Sequence, residues 1–293
     1  LVNNRRSSQH SGTRQFAPQY EGSHPLNPFD DVLYSLPLVF VDPLESDQEV
    51  WTTRFVGGAN GLIGDSGWDW DTSFSYGRSF GRYGSGVILA DRVGNALDIV
   101  EVSPGVYDCA VNVNKGPYSE PETGPTCVPV DAFEAIRNGT GRLSQAELDY
   151  ITAYEYGNTT YEQLLFTASV SNPSLFKVPA GDVGIALGVE ARKETIDDRP
   201  GPNAANGNSW GLTSSGRTEG SDNVLEAFGE VRIPLLRDAP FFESLEVSGS
   251  GRYTSYDSGY DGFTYKAGLN WGVGHGLRNR THYGPSYRAP EQY

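Results

Sequence analysis

Cys109 and Cys127 are the only cysteines of the chain and the first residues to ask for chemistry. Both lie in Val106 to Val130, a polar stretch rich in Pro, Gly and Asn. No CxxC spacing and no neighbouring His accompanies them, so nothing there makes a metal-ligand set. Two alternatives stand: a disulfide that closes a loop in an oxidising compartment, or two free thiols. The histidines His10, His24, His275 and His282 follow no spacing of metal ligands or of a proton relay. No Ser/His/Asp order, HExxH motif or phosphate-cradling glycine loop occurs. Gly184-x-x-x-Gly188 falls in an alternating stretch, so the small-residue helix motif does not apply. Asn138-Gly139-Thr140 and Asn158-Thr159-Thr160 match glycosylation acceptors, a motif common by chance. The pairs Asp69/Asp71 and Asp197/Asp198 have carboxylates for acid–base or cation chemistry. Their strand-like spacing instead makes them the lining of a wet interior or the decoration of a loop. No catalytic, metal or cofactor-binding residue is assigned, and no cofactor is expected.

Lys+Arg 22 against Asp+Glu 37 gives a net charge of −15 over 293 residues. That sign excludes nucleic acid as a partner, because phosphate binding needs a basic face. Gly 36 and aromatics at 12% are both high, while the mean hydropathy is only −0.45. No run approaches the ~20 apolar residues of a membrane-spanning helix.

The elements that carry these residues are read from period-two alternation. In Trp68 to Gly77, Trp68, Trp70, Thr72, Phe74 and Tyr76 share one face, and Asp69, Asp71, Ser73 and Ser75 the other. Asp182–Arg192, Leu225–Leu235, Leu245–Tyr253 and Phe263–Trp271 repeat the pattern, and Trp51–Ile63 and Leu164–Val170 follow it weakly. Val2–Arg14 and Leu277–Tyr287 alternate poorly and are assigned as strands from the pattern of connections. The strands run about ten to thirteen residues; twelve residues tilted ~40° rise roughly 30 Å, enough for a hydrocarbon core. Connections alternate between short (Gly64–Gly67, Ser171–Gly181, Arg237–Glu243, Gly272–Gly276) and long (Gly81–Thr160, Thr195–Asp222), with Ser258–Asp261 short out of turn. Aromatics cluster at strand ends, as in the girdles of outer-membrane barrels. Ser144-x-x-Glu147 is a capping box that predicts a helix over Gln145–Tyr154, while Pro104, Pro117, Pro121, Pro125 and Pro129 keep the rest of that loop irregular. A soluble β-sandwich or β-helix would also alternate; strand length and loop asymmetry favour a membrane barrel.

Several blocks resemble the barrel of TonB-dependent outer-membrane receptors. They are Arg54-Phe-Val-Gly-Gly58, Gly61 to Asp65, Trp68 to Arg78, Asn27-Pro-Phe29, Leu143 to Ile151, Glu226 to Leu235, Phe263 to Trp271 and Tyr287-Arg-Ala-Pro290. The resemblance covers nearly the whole chain, and is strongest to the large receptors with a cysteine pair in a long outer loop. Gly274 to Ser286 departs from the family's alternation. The resemblance implies a barrel of 22 strands preceded by a plug domain. The expectation is an all-β chain: an antiparallel meander of about nine long strands, part of such a barrel, with a short helix in a long extracellular loop. Residues 1–293 would be a partial barrel, with plug and C-terminal strands absent, open between Val2–Arg14 and Leu277–Tyr287. The absence of Met and the odd strand count lead to that expectation.

The resemblance further implies uptake of a scarce ligand (an iron chelate, cobalamin or a saccharide) across the outer membrane of a Gram-negative bacterium. Transport would be driven by the TonB complex acting through the missing plug, with no bond made or broken. Ligand contacts would fall in Gly81–Thr160 and Thr195–Asp222. Two alternatives are a passive outer-membrane channel and a secreted β-sandwich binding module. Trp70, Phe74, Ile185, Leu187, Val231, Leu269 and Trp271 are expected to face outer-membrane lipid. Asp69, Asp71, Glu190, Glu230, Arg232 and Lys266 are expected to face the lumen. Cys109 and Cys127 are expected to bridge in a loop exposed to the cell exterior, where thiols oxidise.

Overall fold

Long alternating runs separated by turn residues build one antiparallel sheet in the computed structural model of the chain, which describes residues 2–10, 14–29, 34–41, 44–113, 125–211 and 216–287. In chain order the strands are β1 Val2–His10, β2 Arg14–Phe16, β3 Tyr20–Glu21, β4 Tyr34–Ser35, β5 Val39–Val41, β6 Glu45–Leu62, β7 Asp69–Ile88, β8 Ile99–Ser103 and β9 Val106–Cys109. They continue as β10 Thr152–Val178, β11 Gly181–Arg199, β12 Thr218–Ala239, β13 Phe242–Tyr256, β14 Asp261–Gly274 and β15 Leu277–Tyr283. Five helices lie between them: α1 Ala90–Leu97, α2 Ala110–Val113, α3 Ala132–Arg137, α4 Gln145–Ile151 and α5 Pro202–Ala205.

Nine strands form the main sheet in the order β1-β6-β7-β10-β11-β12-β13-β14-β15. Each long strand pairs with the next long strand of the sequence, which makes a meander. Among the described residues β1 bonds only to β6 and β15 only to β14. Arg288 to Pro290 and the loop prolines Pro117 and Pro121 lie outside the described residues.

The short connections all sit at one end. Between β6 and β7, Gly64 and Gly67 take φ of +54° and +75°, a backbone that side chains with a Cβ rarely adopt. The long connections, and the short 257–260, sit at the other end. The strands run further than the alternation suggested. β10 passes Ser171 and reaches Val178 across an irregularity between Asn172 and Phe176 that holds Pro173. β12 carries Pro234 at a similar shift. Proline gives the ladder no N–H, so it is tolerated where the ladder is broken.

At the opposite end β7 continues to Ile88 and β10 begins at Thr152. The glycines there do not mark a loop. A Cβ on Gly84 would come within 2.5 Å of the Tyr154 hydroxyl, so the absence of one lets the ring lie across the strand.

The helix expected over Gln145–Tyr154 stops at Ile151, because Thr152 enters β10. Its capping box forms: the Glu147 N–H donates to Ser144 Oγ and the Ser144 N–H to Glu147 Oε2. The remainder of that connection is not irregular as expected. It contains α1, α2, α3 and the β8–β9 hairpin, and with β2–β5 and α5 it forms a cap at the long-connection end. The cap holds the main buried cluster, including Phe16, Tyr20, Val39, Val93, Ala132 and Ile151.

Candidate functional site: two sheet faces and the cap

Register decides what each face presents, since residues opposite one another across antiparallel strands share a face. Trp70 lies opposite Val170, Val170 opposite Leu187, and Leu187 opposite Gly229. Phe74 continues into Phe166, Ala191 and Leu225, and Ile185 into Val231, Gly249 and Ala267. Leu269 pairs with Val247, and Trp271 with Leu245. The seven residues expected to share a face therefore do so, and no second element of the described chain covers them. Leu187 is 45% exposed and Leu225 60% exposed. On β12 the apolar face runs from Leu225 to Leu235, about 33 Å along the strand and ~25 Å in height at a typical barrel tilt.

Aromatic pairs flank this band. At the short-turn end Phe242 stacks on Trp271 with ring centroids 5.4 Å apart, and Trp271 Nε1 donates to the Phe241 carbonyl at 2.9 Å. At the other end Trp51 meets Phe80 at 5.6 Å, and the Tyr76 hydroxyl donates to Glu162 Oε1 at 2.8 Å. Beyond Tyr76 the same face becomes charged, with Arg78 3.4 Å from Glu162 and the Arg82 guanidinium 3.7 Å from the centre of the Tyr156 ring.

The opposite face is mostly polar, with Val56, Leu62, Leu165 and Phe228 as apolar side chains among the polar ones. Asp69 continues into Ser171, Ala186, Glu230, Ser250 and Lys266; Glu190 lies opposite Glu226, and Arg232 opposite Ser248. Its side chains satisfy one another. Ser73 and Thr167 hydroxyls sit 2.7 Å apart, Arg252 Nη1 lies 2.5 Å from Glu226 Oε2, and Thr254 Oγ1 donates to Glu226 Oε1 at 2.9 Å. Gln163 and Tyr161 both donate to Glu194, at 2.8 and 2.9 Å. A cavity of about 290 Å³ near the short-turn end is lined by Asp69, Asn172, Glu230 and Arg232 among others. Such a surface holds water and polar solutes by hydrogen bonding. Asp69 and Asp71 lie on this polar face, and Asp197 and Asp198 lie at the long-connection end of β11 on its two opposite faces. Asp197 binds Arg199 and Arg217, while Asp198 accepts from Thr159 and Tyr83. The bond to Asp197 raises the Arg217 guanidinium further above its ordinary value. Among the described residues no three His, Cys, Asp or Glu side chains gather into a metal-binding group.

In the cap, Cys109 and Cys127 form a disulfide, with Cα atoms 6.1 Å apart. Asn112 Nδ2 donates to both Asp108 Oδ1 and the Cys127 carbonyl, which fixes α2 to the bridge. Tyr20, fully buried, donates to the Val130 carbonyl at 2.9 Å and accepts from the Ala132 N–H at 3.2 Å. Burial pushes its phenol well above the ordinary tyrosine range, and the nearby Asp131 and Glu147 carboxylates add to the shift. Glu155 accepts from the Asn203 and Ala204 N–H groups, so a buried carboxylate on β10 caps α5.

The Cys109–Cys127 bridge matches the expectation from the sequence, whereas Tyr20, Asn112 and Glu155 were not singled out there. For α3 a signal was present: Asp131 three residues before Glu134 is an N-cap signature, and Asp131 Oδ1 accepts the Glu134 N–H at 2.8 Å. Glu155 and Tyr20 leave no local signal. The described residues of the expected ligand-contact segments, Gly81–Thr160 and Thr195–Asp222, supply most of the cap, joined by 14–29 and 34–41. Comparison with known proteins finds no match to any family model, curated protein or solved structure.

Proposed function

We propose that the chain is part of the transmembrane barrel of an outer-membrane receptor, with the apolar face against lipid, the polar face lining a lumen and the cap outside the cell. One observation carries this: a continuous apolar face about as tall as a bilayer core, aromatic at both edges, left uncovered by the chain's own elements. A water-facing sheet would leave that area exposed at a cost of about 25 cal/mol per Å². The sandwich alternative needs a second sheet over that face. The other sheets of the described residues have two strands each.

The resemblance of the strand blocks extends the proposal to a 22-stranded receptor coupled to TonB through a plug. It would take up an iron chelate, cobalamin or a saccharide captured at the cap. Closing the barrel would satisfy the free edges of β1 and β15, whose unpaired backbone groups are costly in lipid.

The test is spin-label accessibility in bilayers. Labels scanned through 183–191 should alternate, with the odd positions open to oxygen and the even positions open to a water-soluble nickel chelate. A scan without alternation removes the membrane assignment. Uptake of a labelled ligand that stops when the proton gradient is collapsed would separate coupled transport from a passive channel.

A further inference from the structure

The apolar face is not uniform. A groove of about 490 Å³ opens in it, walled by Trp70, Val170, Leu187 and Val189 and floored by the smaller Thr72 and Ala168. The groove has an exit toward the long-connection end. There Ala191 stands between Phe166 on β10 and Leu225 on β12, one small side chain between two large ones. Two residues further along β11 the same face presents Lys193, exposed and flanked by Leu164 and Asn223. From Val189 to Lys193 is four residues, ~13 Å along the strand. Among the described residues the Lys193 ammonium has no hydrogen bond or ion pair. Glu162, two residues from Leu164 on β10, is engaged by Arg78 and Tyr76, and Asn223 donates to Asp257.

We propose that this groove seats one acyl chain of a phosphate-bearing anionic lipid of the surrounding leaflet, with its phosphate on Lys193. The proposal rests on the membrane reading above. The hydrocarbon runs from the groove over Ala191, between the Phe166 and Leu225 walls, and the headgroup emerges where the face turns polar. An unpaired lysine above an apolar channel complements a lipid with an anionic head; a zwitterionic lipid gains the groove but not the net charge.

The test uses the native protein in phosphatidylcholine vesicles doped with either brominated phosphatidylglycerol or brominated phosphatidylcholine. Bromine quenches nearby indole fluorescence, and Trp70 on the groove wall is isolated from the other four tryptophans by difference against W70F. Brominated phosphatidylglycerol should reach half-quenching of Trp70 at a mole fraction about fivefold lower than brominated phosphatidylcholine. K193Q should abolish the preference. A191F, which leaves the charge and blocks the exit, should weaken quenching of Trp70 by the anionic lipid while Trp271 at the far rim stays quenched. Equal quenching by the two lipids in the wild type overturns the proposal and leaves the membrane assignment standing. No quenching by either lipid overturns both.

Discussion

The sheet and the cap dispose of their apolar side chains in opposite ways. In the cap, Phe16 and Tyr20 are 0% exposed and packed among side chains from three separate segments. On the sheet, Leu187, Val189, Leu225 and Phe263 point away from the chain, and little but the strands themselves supports them. The cap therefore carries its own driving force for folding. A buried Phe or Leu contributes about 1.5–3 kcal/mol once removed from water, and the cap's are already removed. The sheet draws on the same term only when an apolar medium or partner covers it. The ladder also differs: the sheet's hydrogen bonds repeat regularly, whereas the cap depends on single bonds between distant residues, such as Tyr20 to the Val130 carbonyl.

Two substitutions bear most directly on this contrast. Phe16→Ala removes a fully buried ring that packs on Trp210 with centroids 5.8 Å apart. It should destabilise the cap by about 3–5 kcal/mol in detergent and in aqueous buffer alike, read as faster proteolysis of 90–151 with the strands still protected. Loss of strand protection together with the cap would show that the two regions do not fold as separable units. Leu187→Arg has the opposite dependence. In bilayers it should cost about 2–4 kcal/mol near the midplane, while Ala186→Arg on the polar face costs little. In denaturation from lipid vesicles, equal midpoints for the two variants would mean that the faces are not distinguished by the surroundings.

Much of the sheet was legible because its code is local. Trp68 to Tyr76 reveals its two faces within nine residues, and register follows once the short turns are placed. The strand ends were misread for local reasons too: Gly81, Gly84 and Gly86 resemble loop residues, yet all three lie in β7, and Gly84 and Gly86 clear space for neighbouring side chains. The cap was mostly illegible. β3 and β4 have two residues each and α2 and α5 four, too short for a period to register. Its core joins positions over a hundred residues apart, and the N-cap of α1, Leu89, offers no side-chain cap. What could be read ahead of the structure was α4, with its Ser144/Glu147 box, the Cys109–Cys127 bridge, and the Asp131 signal that opens α3. The polar and apolar faces were legible as faces; the groove was not, because it depends on which strands become neighbours.

The disulfide tests how far the cap depends on covalent help. Cysteine removal as C109S/C127S frees a loop whose closure is worth about 3 kcal/mol in the chain-entropy model. The cap should open at lower urea by limited proteolysis, while spin-label alternation along β11 stays as in the wild type. A change in that alternation would mean that the bridge acts on the sheet and not on the cap alone.

The smallest expected effect concerns one hydroxyl. Tyr20→Phe keeps the ring contact with Phe133, centroids 5.2 Å apart, and removes the bonds to the Val130 carbonyl and the Ala132 N–H. Both backbone groups are left without that partner in a dry core, at a cost of about 1–2 kcal/mol near neutral pH. The pH dependence follows from the raised phenol. In the unfolded chain the phenol releases its proton near pH 10, whereas in the cap it keeps the proton to higher pH, so the folded cap binds more protons above pH 10. The stability contributed by Tyr20 is therefore whole below about pH 10 and declines as pH rises beyond it. In urea titrations of cap opening, the gap between wild type and Tyr20→Phe should stay constant from pH 7 to about pH 9.5 and narrow above that. A gap that stays constant or widens above pH 10 would mean that the Tyr20 phenol is not held protonated by burial in the cap.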